Sequence, residues 1–194
     1  MESLFNDLPL YQAVIADDLD GIQFVALTSK PATQVNWLAF GQSQKFSLDD
    51  EKHLITSCLM VSDTPIFRRD DTGEYYIHYD KETLRYMAEK MLKDKRTTDV
   101  NIEHLEDSKV DGVILQEIYI KDISRGINPV EFTDVPDGSI FATYKVYNPV
   151  VWDAIKAGKF KGFSIEGMFT LERQSEYEDW KEIQKMLRKI RRVK

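Results

Sequence analysis

The chain has 194 residues, with 33 acidic and 26 basic side chains and a formal net charge of −7. This length, with 42% hydrophobic residues, suits one domain with extensions better than two full domains. A single cysteine, Cys58, excludes a disulfide framework and a thiolate metal site. The acidic balance argues against a nucleic-acid-binding domain, because an acidic body repels phosphates.

The opening twenty residues, "MESLFNDLPLYQAVIADDLD", lack the basic and apolar regions of a signal peptide. No apolar run has the length of a membrane span, so a soluble protein inside a cell is expected. Short strands and turns follow at "YQAVIA", "IQFVALTS" and "VNWLAF". Residues 41–53, "GQSQKFSLDDEKH", read as an exposed loop or linker. A second strand group begins at "HLITSCLMVSD", where Cys58 reads as a small buried hydrophobe. "IFRRDDTGEYYIHYD" then reads as a hairpin turning at "DDTG".

The clearest helix is "DKETLRYMAEKMLKDK", residues 80–95. Asp80 caps it, and Leu84, Met87, Met91 and Leu92 fall near one face. Three β-rich runs come next: "VNIEHLE", "DGVILQEIYIKDI" and "GSIFATYKV". The last two are separated by the turn-rich stretch "SRGINPVEFTDVPD". Asn148 and Pro149 open a short helix that Gly158 closes, and "GFSIEG" follows as a strand. Ser175 and Glu178 form a capping-box pattern ahead of a basic amphipathic helix. Its last fourteen residues carry a local charge of +6, leaving −13 for the rest of the chain. Such a tail suggests a separate docking element.

This order predicts an α+β fold, a small and mostly antiparallel β-barrel with flanking helices. The expected organisation is an N-terminal strand and turn segment over 1–53, part of the barrel or packed on it. The core spans 54–172, and the basic helix 173–194.

Three histidines are present. His53 and His78 read as surface or half-buried strand residues. His104, in "NIEHLEDS", ends an apolar strand just before a loop, where a sheet presents a side chain to solvent. A hard-cation site from Glu103, Glu106 and Asp107 is a weak alternative for this acidic loop, and zinc catalysis would need more histidines. No metal and no cofactor are expected.

Nucleophilic catalysis needs a hydroxyl, a base and a group that orients the base. Ser164 and His104 supply the first two. Glu117 interrupts the apolar run "VDGVILQEIYI" and is the first choice for the third, unless its strand is an exposed edge. Asp137, in the turn "PDGS", is the second choice. Gly162 and Gly167 remove side chains where an oxyanion donor or a substrate backbone must come close to Ser164.

The ordered set "EHLED", "VDGVILQEIYI", "PDGSIFATYKV" and "VWDAIKAGKFKGFSIEG" resembles the prohead maturation proteases of tailed bacteriophages, in particular the XkdF-type branch. The resemblance covers roughly residues 10–170 and implies a serine endopeptidase of the herpesvirus-assemblin fold. It matches His104 to the family's catalytic histidine and Ser164 to its nucleophile, while the third member varies between branches. It further implies action inside the assembling procapsid in the host cytoplasm. Scaffold and major capsid proteins, and the enzyme itself, would be the substrates. Residues 175–194 are then expected to dock on scaffold or on another subunit. The competing reading is an inactive capsid-assembly or scaffold-binding protein on the same fold.

Overall fold

A computed structural model describes residues 8–29 and 47–173. The expected strand at "VNWLAF" and the basic helix beginning at Ser175 lie outside the described residues.

Eleven strands and two α-helices make up the described part, a mixed α+β fold dominated by β-structure. The strands are β1 (Leu10–Val14), β2 (Gly21–Thr28), β3 (Ser47–Asp49), β4 (Leu54–Met60), β5 (Ile66–Asp70) and β6 (Gly73–His78). They continue with β7 (Val100–Ile102), β8 (Val113–Ile120), β9 (Ile140–Val146), β10 (Gly162–Met168) and β11 (Thr170–Arg173). Helix α1 spans Lys81–Lys93 and α2 spans Pro149–Lys156.

The ladders form three sheets, ordered β11-β1-β6-β5, β10-β2-β7 and β3-β4-β9-β8. Among the described residues only the β1–β6 and β2–β7 pairs are parallel. The expected closed barrel is not formed by these ladders among the described residues. The sheets meet through side chains instead, as where Tyr144 of β9 packs on Phe163 of β10 with ring centroids 4.8 Å apart. The polar stretch expected to be a loop contributes β3, which pairs antiparallel with β4.

Helix α1 forms as its pattern dictates. Asp80 accepts a hydrogen bond from the Thr83 amide, satisfying a donor that the first turn leaves unpaired. Leu84, Met87, Ala88 and Met91 are buried, whereas Leu92 is 49% exposed and lies off the apolar stripe. Helix α2 is capped by Asn148, which accepts from Val150 and Val151, and it buries Val151, Trp152 and Ile155. Cys58 is fully buried. His53 stacks on Trp152 at 4.7 Å, and His78 is buried.

One buried carboxylate ties two segments far apart in the sequence together. Asp20 accepts from the amides of Ala16 and Asp17 and from the Thr170 hydroxyl, so it closes the β1–β2 turn against β11. Burial pulls its pKa upward, but the combined hydrogen bonds outweigh that pull and hold it below 3.8. A depressed carboxyl pKa stabilises the fold above the unfolded-state value, and this is lost as pH falls through the folded value. Asp20→Asn is therefore expected to lower Tm by roughly 3–8 °C at pH 7. Thermal melts should show the gap to the unsubstituted protein shrinking below about pH 4.

Candidate active site

The sheet β10-β2-β7 brings together the two segments singled out in the sequence. Ser164 pairs with Ala26 on β2, and Ala26 pairs with Asn101 on β7. Residues directly opposed in a ladder project to the same face, and alternate residues along a strand share it. Ser164, Glu166, Ala26 and Asn101 therefore occupy one face. Phe163 projects to the other, into the hydrophobic core. Ser164 is 6% exposed, Ala26 is fully buried and Asn101 is 1% exposed.

His104 lies just beyond β7, on an unusual piece of backbone. Glu103 and His104 both adopt left-handed conformations, with φ of 51° and 60°. Each such non-glycine residue costs on the order of 1 kcal/mol and persists only where its surroundings enforce it. Here the Glu103 amide donates to Leu27 O at 3.0 Å, and the Leu105 amide donates to Ile102 O at 3.1 Å. The Glu103 carboxylate accepts from the Thr28 hydroxyl at 2.8 Å and the Ser29 amide at 2.7 Å. Burial raises the Glu103 pKa, but these bonds outweigh it and leave the carboxyl below its ordinary value. Ser108 finishes the clamp. Its Oγ accepts from the Ile102 amide and lies 2.8 Å from Ile102 O and 2.6 Å from Leu105 O.

The imidazole meets β10 at Glu166. His104 Nδ1 is 2.9 Å from Glu166 Oε1, and the same oxygen accepts from Asn101 Nδ2 at 2.6 Å. Both partners are accessible from outside, with side chains 39% and 28% exposed. Among the described residues His104 makes no hydrogen bond to Ser164. The histidine is engaged two residues further along the serine's own strand.

The other acidic candidates lie elsewhere. Glu117 is on β8, the edge of a different sheet, where a register shift between Leu115 and Glu117 leaves it exposed opposite Thr143. An edge position accommodates the carboxylate without a partner, and the structure does not bring it to His104. Asp137 holds a turn. Its carboxylate accepts from the Ile123 amide at 2.9 Å and faces Lys81 at 3.3 Å, and these contacts lower its pKa, the amide bond foremost.

The glycines divide similarly. Gly162 pairs with Thr28 at the start of β10. At Gly167 the close approach comes from the protein itself, because a β-carbon there would overlap the carbonyl oxygen of Gly21. The register shift between Glu166 and Gly167 is a β-bulge at this crowded point, and bulges re-aim neighbouring side chains.

The signal for Glu166 was available in the sequence. It stands two residues after Ser164, hence on the same face of any strand through "GFSIEG". A carboxylate on imidazole Nδ1, with a serine two residues away on the carboxylate's own strand, is the chemical equipment of serine-nucleophile hydrolases. The sequence comparison agrees with that class. Residues 44–172 match the family described as "Putative phage serine protease XkdF". The chain belongs to this family of phage serine proteases. Searches of curated proteins and of solved structures found no match.

Gly167→Ala tests the role of the bulge. The new methyl group collides with backbone that cannot rotate away, so a loss of roughly 2 kcal/mol or more is expected, read as a lower denaturant midpoint. An unchanged midpoint would show that β2 and β10 are not packed this closely.

Proposed function

We propose that the protein is a serine endopeptidase acting in procapsid maturation, with Ser164 as nucleophile and His104 as general base. The observation that supports this best is the engagement of His104 Nδ1 by a carboxylate on the strand of Ser164. With Nδ1 occupied, Nε2 is the nitrogen left to act as base.

In the proposed reaction the Ser164 O–H proton passes to His104 Nε2 as Oγ bonds to the scissile carbonyl carbon. The carbonyl electron pair moves onto oxygen. Collapse of that intermediate breaks the C–N bond, and the imidazolium returns the proton to the departing amine. Water then repeats the sequence on the acyl-enzyme, releasing the new carboxylate and restoring the serine. Hydrogen bonds between nucleophile and base often form only once substrate is bound, so a serine not yet bonded to histidine is compatible with this chemistry.

Scaffold and major capsid proteins are the proposed substrates, with self-cleavage as a further event in the host cytoplasm. Residues 175–194 are the proposed docking element for scaffold or a second subunit. Membership of the phage serine-protease family supports the peptidase part of this reading.

Co-expression with the cognate scaffold and capsid proteins tests the proposal, with cleavage read on gels. Ser164→Ala should abolish cleavage, and His104→Ala should reduce it by about a thousandfold or more, since such residues act as a unit. Glu117→Gln should leave the rate within about threefold, as expected of an exposed edge position. Equal cleavage by all variants would eliminate the serine mechanism. Loss of cleavage with a chelator would reassign it to a metal. Absence of cleavage by the unsubstituted protein would favour the assembly-protein reading.

A further inference from the structure

We infer that Glu166, held by Asn101, is the positioning carboxylate of His104 and completes the set Ser164–His104–Glu166 on one sheet face. This rests on the serine-protease reading of the site.

Three independent features support the assignment. The first is spacing. Ser164 and Glu166 are alternate residues on one strand, so their Cα atoms are about 6.7 Å apart. That separation is comparable to an imidazole ring with a hydrogen bond of about 2.8 Å at each nitrogen. One strand thus carries both ends of the relay, and a single histidine from the β7 loop can bridge them.

The second is how the carboxylate is held. A surface ion pair usually joins two mobile side chains and is worth little. Glu166 Oε1 instead also accepts from the amide of Asn101, which is 1% exposed and lies on β7 opposite the fully buried Ala26. Among the described residues Asn101 Oδ1 has no hydrogen-bond partner. A buried orphan acceptor is costly, and such costs are tolerated mainly where an orientation serves a function. Turning the amide over would set its oxygen against the carboxylate. Glu166 therefore fixes the amide, and the amide fixes Glu166.

The third is strain. Two successive left-handed residues set His104 where its Nδ1 reaches this oxygen, and the Glu103 and Ser108 hydrogen bonds keep them there. The bulge after Glu166 lies at the same point of the sheet.

The test uses the full chain and two readouts. In the unsubstituted protein, nitrogen NMR of His104 at neutral pH should show the proton on Nδ1, and a proton predominantly on Nε2 would overturn the assignment without any variant. The second readout is the rate at which a fluorophosphonate probe labels Ser164. Glu166→Gln should slow labelling at least a hundredfold with little change in Tm, and should shift the His104 tautomer away from Nδ1–H. Asn101→Ala should slow labelling by about tenfold. Formate added to Glu166→Ala should restore part of the lost rate, an effect that a purely structural role would not produce. Labelling of Glu166→Gln within threefold of the unsubstituted protein would discard Glu166 while leaving the Ser164–His104 reading intact. No labelling of the unsubstituted protein at Ser164 would overturn both.

Discussion

Ala26 carries the geometry on which the site depends. It is fully buried between Ser164 and Asn101 in the ladder, and its side chain is small enough for polar groups on both flanking strands to share its face. The central strand β2 runs antiparallel to β10 and parallel to β7, so it sets both neighbours in one register. Ser164 and His104 are sixty residues apart in sequence. Neither touches the other through local structure. Only the double pairing of β2 makes their strands parts of one surface.

Rigidity in this surface is bought locally rather than spread over the fold. The backbone leaves β7 through two left-handed residues, and the hydrogen bonds that hold them come from β2 and from Ser108. In the proposed role of His104 as general base this arrangement matters, because misplacement of a catalytic group by about 1 Å is costly in rate. The flat core face behind it, with Phe163 packed on Tyr144, gives the strand of the serine a fixed backing.

Much of the fold was legible in the sequence because local signals agreed with tertiary needs. The Asp80 and Asn148 caps, the β5–β6 hairpin and the apolar stripe of α1 are short-range features, and all are present. Sheet closure depends on which edges meet, and no local pattern states that. Ser164 and His104 stood out because glycines flank one and a strand end presents the other. Glu117 drew attention as a charge in an apolar run, an argument that holds only for a strand covered on both faces. Strand β8 is an edge, so the charge simply faces outward. Glu166 is inconspicuous in the sequence because a polar residue alternating with Ile165 looks ordinary. Its meaning depends on the position of His104, which the loop after β7 determines.

The family match begins at residue 44, whereas β2 ends at Thr28. The recognisable segment therefore omits the strand that joins its own two functional halves. A truncation cut to that segment would leave β10 and β7 each without a ladder partner. Unpaired strand edges of this kind template pairing with other chains. Insolubility of such a fragment would then reflect a missing strand, and would carry no information about the chemistry of Ser164.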